Sequence, residues 1–323
     1  MIIPFRNEIH HLEQRIASLK EQEYPHELCQ FVFVDDHSDD SGNELVKACL
    51  YDKRFQLLFN DTDEAGKKSA IDKAVRIAQS EIIVVTDADC VCDKQWLNCL
   101  VSSLNAQCLF SAGPVFIKDP ESFGSRIQQA EMILLQYVTA KCIFSKYPMM
   151  ANGANMAFNK AFYLKSGGFE RDNRATGDDF YLLQKAGENV NYALHQDAYV
   201  YTLPALNMQH YFSQRKRWAV KAADVKGGIK LIIGFAVWMS HTAPIVFILI
   251  GLIKNAIIPW IFPYVLKVSI DVLLLSLACF KFRLKAFPLA YLTACLIYPF
   301  VVLITTFMMV KRGYSWKTRN WKR

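Results

Sequence analysis

The sequence predicts an α/β domain with a mostly parallel sheet, followed by helices that span a membrane. Within residues 1–230, apolar strand-like runs that end in acids alternate with amphipathic helical stretches, a pattern typical of such sheets. Residues 231–310 consist mainly of long apolar runs, and 52% of the chain is hydrophobic. We therefore expect a globular domain at 1–230, about three transmembrane helices at 231–310 and a basic tail at 311–323.

Two central strands are predicted at Cys29–Asp35 and Glu81–Thr86, because both are apolar, rich in β-branched or aromatic residues, and lead into acids. Since ligands of open α/β sheets bind at the carboxyl ends of strands, the residues that follow are candidate site residues. The opening Met-Ile-Ile-Pro-Phe-Arg-Asn-Glu predicts a short first strand that enters a turn, and is compatible with a further segment upstream. Apolar residues at helical spacing predict two helices, marked by Leu12, Ile16 and Leu19 and by Ala70, Ala74, Ile77 and Ala78.

Three apolar segments are long enough to cross a bilayer. The middle one contains Lys267 and Asp271, which lie four residues apart and could pair on one helix face. Prolines in the second and third segments leave a re-entrant piece as an alternative. The segments are Leu231–Ile253, Ala256–Phe280 and Phe287–Val310, and the prolines are Pro259, Pro263 and Pro299.

The charge is divided unevenly between the two parts. Residues 231–323 contain eleven Lys or Arg and one acid, whereas residues 1–230 contain 26 bases and 29 acids. A nucleic-acid-binding domain would need the basic excess in the folded part, so this distribution favours contact with acidic lipid headgroups instead. With a cytoplasmic globular domain, three spans place the tail and its six Lys or Arg outside, which the positive-inside rule disfavours; an even number of crossings remains an alternative.

The nine cysteines are odd in number and form no CxxC pair, so we expect reduced thiols rather than a disulfide framework or a zinc site. By sequence spacing, His37 and His195 have no clear partner for a metal.

The first candidate cluster is Asp35 and Asp36, within Val-Asp-Asp-His-Ser-Asp-Asp at the end of the first predicted strand. Acids there can hydrogen-bond a nucleotide base or ribose. The structural alternative is a solvated turn, because Asp and Ser favour turns and helix caps.

The second cluster is Asp87-Ala88-Asp89, directly after the other strand. Two carboxylates at i and i+2 can reach one hard cation, and Mg²⁺ or Mn²⁺ would bridge them to a diphosphate. The pattern is common by chance, and its place after a strand is what favours the functional interpretation.

Thr176-Gly177-Asp178-Asp179 is the third cluster. A carboxylate beside a sugar donor can deprotonate an acceptor hydroxyl. The alternative is a helix N-cap formed by Thr or Asp ahead of the apolar residues that follow.

The fourth cluster is Gln214-Arg215-Lys216-Arg217-Trp218. The planar guanidinium suits a diphosphate, and Trp offers a flat face to a sugar ring. A basic helix next to the membrane is the alternative, and both can hold together.

Taken in order, these motifs resemble family 2 glycosyltransferases with a GT-A fold. The acidic strand end, the DxD, an acidic pair after Gly167-Gly168-Phe169, Q-x-x-R-W and trailing spans are similar to the membrane-bound branch. That branch includes cellulose, chitin, hyaluronan and poly-N-acetylglucosamine synthases and ceramide glucosyltransferase. The opening Ile-Pro-Phe-Arg-Asn-Glu and Gly66-Lys67-Lys68-Ser69-Ala70 also resemble family segments, so the likeness covers about residues 1–230.

The resemblance implies an inverting transferase that takes a sugar, expected from a UDP-sugar, to a lipid or growing polysaccharide at the membrane. It implies Mg²⁺ or Mn²⁺ as cofactor, an integral membrane location with the catalytic domain cytoplasmic, and a partner subunit as an option. It implies a base at Asp179, preceded by the acid Asp178, and a metal held by Asp87 and Asp89. It places Asn152, Gly153 and Trp218 on the acceptor side. The residues implied to contact the donor are Asp35, Asp36, Lys67, Lys68, Asp87, Gln214, Arg217 and Trp218.

One departure bears on the acceptor. The polymer synthases usually have Glu-Asp where this chain has Asp178-Asp179, which weakens an assignment as a processive polymerase. A short chain with about three spans likewise favours one addition to a lipid. A processive synthase subunit and a non-catalytic nucleotide-binding scaffold or transporter are the alternatives, and the retained acids argue against the second.

Overall fold

The computed structural model describes residues 1–61, 66–105, 107–169, 177–223, 228–310, 314–316 and 319–321. Thr176, part of the third candidate cluster, lies outside these residues. The strands are β1 Ile2–Phe5, β2 Phe31–Asp35, β3 Phe55–Phe59, β4 Ile82–Val85, β5 Val91–Cys92, β6 Phe110–Ala112, β7 Val115–Ile117, β8 Met156–Asn159, β9 Val190–Tyr192, β10 Val200–Thr202, β11 Tyr314–Trp316 and β12 Arg319–Trp321.

The α-helices connect and follow these strands, and the fold is the predicted mixed α/β architecture with apolar helices after it. They are α1 Ile9–Lys20, α2 Gly42–Lys47, α3 Lys67–Ile77, α4 Trp96–Ser102, α5 Phe123–Phe144, α6 Lys160–Lys165, α7 Asp178–Ala186, α8 Met208–Ala223, α9 Gly228–Ile253, α10 Ile257–Phe282 and α11 Pro288–Val310. Two short 3-10 helices lie at His26–Leu28 and Gln196–Ala198.

The main sheet has seven strands in the order β3-β2-β1-β4-β8-β6-β9. The β3-β2-β1-β4 half is parallel throughout, β8 runs antiparallel to both of its neighbours, and β9 is parallel to β6. A second sheet has the order β5-β10-β7. Because β1, β2 and β4 are parallel, the loops that follow them leave the same edge, where the first two acidic clusters lie.

Side chains of the central strands alternate between two apolar cores. Ile2 and Val32 belong to one core, whereas Ile3, Phe31 and Phe33 belong to the other. This period of two means that the sheet is covered on both faces. Helix α1 buries Leu12, Ile16 and Leu19 in one core, and α3 buries Ala70 and Ala74 in the other, as the spacing predicted; Ile77, also expected on that face, is 44% exposed.

The chain divides into two compact units. The first comprises residues 1–118 and 139–203, and the second comprises residues 119–138 and 204–323. Composition alone placed the boundary at residue 230. In the second unit, α9, α10 and the segment Pro288–Met309 of α11 are long and apolar enough to cross a membrane.

The prolines do not break the three apolar helices. Pro244, Pro263 and Pro299 lie inside α9, α10 and α11, which continue through them. Pro259 lies in the first turn of α10, so each of the three prolines named in the sequence lies within a continuous helix. Lys267 and Asp271 pair within α10, as their spacing predicted, which neutralises the two charges in an apolar helix.

Candidate active site

The DxD loop leaves the carboxyl end of β4, a strand of Ile and Val residues that is largely buried. Asp87 and Asp89 follow it with partly exposed side chains, while Ala88 between them points into the core. One ligand atom from each of Asp87, Asp89 and Cys90 lies within 4.8 Å of the others. Because side chains alternate along the chain after β4, the carboxylates of Asp87 and Asp89 both lie on its solvent-facing side.

The chemistry of this set fits a hard cation. Burial and the carboxylates of Asp89 and Asp87 raise the pKa of the Cys90 thiol well above its usual value. The protonated thiol lies 3.4 Å from Asp89 Oδ1 as a hydrogen-bond donor, so two carboxylates remain as metal ligands. Oxygen ligands with room for phosphate oxygens and water are what Mg²⁺ and Mn²⁺ prefer.

Arg15, in α1, stabilises the DxD loop with its buried side chain. Its side chain is fully buried, its Nη1 donates to the Cys90 carbonyl at 3.1 Å, and its guanidinium lies 5.5 Å from the Trp96 ring centroid. Sequence reasoning missed this residue. The available signal was its position among Leu12, Ile16 and Leu19, on the apolar face of an otherwise polar helix.

Lys67, the first residue of α3, joins the DxD loop to the acidic pair of α7. Its Nζ lies 2.7 Å from Asp87 Oδ1 and 3.3 Å from Asp178 Oδ2, and donates to the Gly153 carbonyl at 3.3 Å. Burial alone would lower the pKa of Lys67, but the negative charges of Asp178 and Asp87 outweigh it and raise that pKa above its usual value. The site therefore contains a permanent cation between two sets of carboxylates.

The acidic pair begins helix α7. Gly177, at φ 99°, is the N-cap residue, where the alternative placed Asp or Thr. Asp178 and Asp179 follow it, and Asp179 Oδ1 accepts a hydrogen bond from the Phe180 N–H at 2.7 Å. Both acids are buried in the first turn, where the positive end of the helix dipole favours their negative charge. Asp179 Oδ2 accepts a hydrogen bond from the Gly153 N–H at 3.1 Å.

Gly153 lies where backbone, Lys67 and the acidic pair approach most closely. A Cβ at this position would lie 2.7 Å from Asp178 Oδ2 and 2.9 Å from Lys67 Nζ. Only a residue without a side chain allows this contact. Neighbouring Asn152 accepts a hydrogen bond from the Ala154 N–H through its Oδ1, which shapes the same loop.

Asn155 fixes the end of this loop; the family resemblance places its segment, Asn152–Asn155, on the acceptor side, but does not predict its structural contacts. It is fully buried; its Nδ2 donates to the carbonyls of Pro114 and Ala198, both at 2.8 Å, and its Oδ1 accepts from Trp96 Nε1 at 3.0 Å. The only signal in the sequence was its place in the Asn152–Asn155 segment.

Asp35 and Asp36 lie at the end of β2 in a different environment. Both are 2% exposed. Asp35 Oδ1 accepts from the Ser38 N–H at 2.8 Å, and Asp36 Oδ1 accepts from Asn60 Nδ2 at 2.9 Å and from the Gly66 N–H at 3.0 Å. These carboxylates hold together the loops after β2 and before α3. They take part in a turn, as the structural alternative predicted, but this turn is buried rather than solvated.

Lys68 and Gly66 complete the start of α3. Lys68 is 7% exposed, and Gly66 has a φ of 114°, a conformation that favours glycine. The first turn of this helix offers backbone N–H groups and two Lys residues on the edge of the sheet that also holds the DxD loop.

Gln214, Arg217 and Trp218 belong to α8 in the second unit. Beside them, Arg215 is 5% exposed, forms an ion pair with Glu131, and lies 4.7 Å from the Trp218 ring centroid. Arg215 also donates to Gln214 Oε1. Arg215 is thus a structural member of the basic cluster, because its guanidinium is already paired with a buried carboxylate.

Comparison with known proteins gives a consistent result. The family model described as glycosyl transferase family 2 matches residues 1–164. The glycosyltransferase AglE of Haloferax volcanii is 26% identical over 107 residues, which are 32% of this chain and 34% of that protein. The match therefore covers about a third of the length of this curated relative.

Two solved structures share the fold. The mannosyltransferase PcManGT of Pyrobaculum calidifontis, in complex with GDP-Man and Mn²⁺, has a TM-score of 0.58 and 18% identity, covering 96% of this chain and 86% of that one. Residues 1–349 of S. aureus TarS, in complex with UDP-GlcNAc, have a TM-score of 0.50 and 15% identity, covering 100% and 95%. At these identities the likeness is evidence for the fold alone.

Proposed function

This chain belongs to glycosyl transferase family 2, and from that premise we propose that it transfers a sugar from a UDP- or GDP-sugar to a lipid acceptor at a membrane. The complexes of the two structural neighbours, one with GDP-Man and one with UDP-GlcNAc, are the reason to keep both nucleotides open. Because this is a family of enzymes, the alternative of a non-catalytic scaffold or transporter is rejected.

One observation carries the proposal: Lys67 lies within ion-pair distance of both Asp87 and Asp178. The DxD loop and the acidic pair, 91 residues apart in sequence between Asp87 and Asp178, thereby belong to one site in the first unit. A transferase needs this juxtaposition, because the group that binds the donor diphosphate must lie beside the group that activates the acceptor.

Asp87 and Asp89 are the residues that would hold Mg²⁺ or Mn²⁺. A bound divalent cation supplies positive charge that stabilises the departing nucleoside diphosphate. Lys67 and Lys68, at the N-terminus of α3, bind the same phosphates, since a helix N-terminus with Lys side chains favours anions. The family motif assigns Asp35 and Asp36 to the nucleoside end of the donor, in addition to their hydrogen bonds within the loops.

Asp179 acts as the general base. Asp178 pairs with the Lys67 ammonium, and the sequence motif assigns the base to Asp179, the second acid of the pair. Asp179 takes the proton of the acceptor hydroxyl, whose oxygen attacks the anomeric carbon. The bond from that carbon to the diphosphate breaks, and its electron pair leaves with the nucleotide. The attack from the opposite face inverts the configuration without a covalent sugar–enzyme intermediate.

The remaining motif residues are assigned from the sequence motif. Gln214, Arg217 and Trp218 contribute to donor diphosphate binding, Trp218 also serves the acceptor side, and Asn152 and Gly153 border the acceptor. The globular domain is cytoplasmic and the apolar helices anchor the chain in the membrane. Three apolar helices favour one addition to a lipid; extension of a polysaccharide, with or without a partner subunit, is the second candidate.

The test is a donor screen on membranes that contain the full chain. UDP- and GDP-sugars are supplied with Mg²⁺ or Mn²⁺, and nucleotide release and product size are measured. We expect release that EDTA abolishes and one organic-soluble product. A ladder of products would instead indicate that the acceptor is a growing polymer and not a lipid.

Asp179→Asn is expected to lower transfer by about 10²–10⁴-fold, the usual contribution of a general base, while donor binding is retained. Glu188→Gln is the matched control, because this exposed carboxylate lies just beyond the other end of α7. Transfer at the wild-type rate in Asp179→Asn would contradict the assignment of the base.

A further inference from the structure

Three potential metal ligands outside the active site converge at α4. Cys99 Sγ lies 3.7 Å from His195 Nδ1, and Asp197 Oδ2 lies 3.2 Å from the same nitrogen. One ligand atom of each residue lies within 4.8 Å of the others. Sequence spacing gives His195 no metal-binding partner, because Cys99 is distant in sequence. The fold brings Cys99 next to the 3-10 helix Gln196–Ala198.

The contacts of His195 Nδ1 make conflicting demands on one atom. The Asp197 N–H donates to Nδ1 at 3.4 Å, which requires a lone pair there. The Asp197 carboxylate at 3.2 Å would instead require a proton on the same nitrogen. A cation that takes the Nδ1 lone pair in place of the Asp197 N–H would hold the carboxylate and the sulfur beside that nitrogen with no proton on it.

We propose that Cys99, His195 and Asp197 form a zinc-binding site. Tetrahedral Zn²⁺, with bonds of about 2.3 Å to sulfur and about 2.0 Å to nitrogen or oxygen, separates sulfur from nitrogen by about 3.5 Å and nitrogen from oxygen by about 3.3 Å. The corresponding distances here are 3.7 and 3.2 Å. The nitrogen therefore already lies at nearly the required distance from the sulfur and from the oxygen, and ligand atoms of all three residues lie within 4.8 Å of one another.

Ligand type and charge select the ion. A thiolate and an imidazole favour Zn²⁺ over Mg²⁺ and Ca²⁺, which prefer oxygen ligands. One thiolate and one carboxylate neutralise a divalent ion. The His195 side chain is 70% exposed, so the ion enters from solvent and water takes the fourth position.

The ion would tie together two elements that hold the loop of the active site. Trp96 of α4 and the carbonyl of Ala198 both hydrogen-bond to Asn155. Zinc between Cys99 and His195 links those same two elements at a second point. The site thus stabilises the surroundings of Asn155, and its existence does not depend on the proposed transfer reaction.

The experiment uses the purified full chain in detergent, stripped of metal with a chelator. Zn²⁺ is added, and the rate of Cys99 alkylation is measured by peptide mass spectrometry, with Cys142 as an internal reference. We expect Zn²⁺ to slow alkylation of Cys99 by at least about 10-fold, because the bound thiolate is no longer available, and to leave Cys142 unchanged. Equal alkylation of Cys99 with and without Zn²⁺ would overturn the site, and this result needs no variant.

Variants then locate the ion. His195→Ala should remove about one equivalent of bound Zn²⁺ per chain and the rise in melting temperature that Zn²⁺ produces. His26→Ala is the matched control, because this exposed histidine lies on the other 3-10 helix. With Co²⁺ as probe, the sulfur-to-metal charge-transfer band should vanish in Cys99→Ser and persist in Cys90→Ser. Loss in Cys90→Ser alone would place the bound metal at the DxD loop and refute the proposal.

Discussion

Two groups of acids lie at the same edge of the sheet, yet they have different partners. Asp35 and Asp36, after β2, accept hydrogen bonds from backbone N–H groups and from Asn side chains. Asp87 and Asp178, after β4 and at the start of α7, face the Lys67 ammonium. The first group stabilises loops, whereas the second places net negative charge around a cation.

Burial and acidity alone do not separate the acids that stabilise loops from the acid that we propose as the base. Asp36 and Asp179 are both buried, at 2% and 4% exposure. Both accept hydrogen bonds from backbone N–H groups, so their positions separate them: Asp36 bridges β2 to Asn60 and Gly66, while Asp179 lies in a helix N-terminal turn beside the Lys67 cluster. The predictions below test whether these two groups of acids contribute to activity and to stability in different ways.

Among the substitutions that test this comparison, the largest effect is expected from removing the cation between the acids. Lys67→Met leaves the negative charges of Asp87 and Asp178 uncompensated and removes a group that we propose to bind phosphate. We expect transfer to fall by about 10²–10³-fold, as for loss of one electrostatic contact to the transition state. The unfolding free energy should fall by about 1–3 kcal/mol, less than for a fully buried pair because the Asp87 side chain is 37% exposed.

Steady-state kinetics and urea unfolding of the full chain in detergent measure both changes. Lys73→Met is the matched control, since Lys73 lies on the same helix and pairs with Asp61 at the surface. If Lys67→Met and Lys73→Met behaved alike, the cluster around Lys67 would not be a site.

An intermediate effect is expected from Gly153→Ala. The added Cβ would lie within 3 Å of both Asp178 and Lys67, so these side chains must move. A displacement on the order of 1 Å in a catalytic arrangement costs about 10²-fold, so we expect kcat to fall by about 10–100-fold. Gly124→Ala is the control, because its nearest neighbour lies 4.0 Å away; an equal fall of kcat in both variants would argue against a specific role of Gly153.

The smallest expected effect on activity comes from the acids of β2. Asp36→Ala removes the acceptor for Asn60 Nδ2 and the Gly66 N–H, which should cost about 1–3 kcal/mol of unfolding free energy. Asp36→Asn retains an acceptor oxygen and should recover most of that loss. Asp39→Ala, at an exposed position in the same loop, is the control. If Asp36→Asn lowered kcat strongly and left the unfolding free energy unchanged, Asp36 would belong with the acids that we propose take part in the reaction.

The sequence predicted much of the fold because its signals there are local. The strands β2 and β4 lie within the predicted apolar runs, α1 buries the three residues at helical spacing, and the three apolar helices match the expected segments within a few residues. Ile77 was an error of detail: it lies at the last position of α3, where its side chain is exposed.

Motifs identified the acids of the site, but not the residues that hold them. Arg15, Asn155 and the buried pair of Glu131 with Arg215 have partners far away in sequence, and no periodicity or motif connects such residues. The same holds for Cys99 and His195, which spacing alone left without partners.

The sequence by itself determined the class of the fold, the order of its elements and the candidate acids, because hydrophobic periodicity and short motifs depend on neighbouring residues. Only the tertiary structure decided which acids share a cation. The carboxyl ends of β2 and β4 meet at one edge because their strands are parallel, and the contacts of Lys67 join Asp87 to Asp178 across distant parts of the chain. Charge interactions depend on distance in space, and distance in space is set by how the whole sheet is assembled.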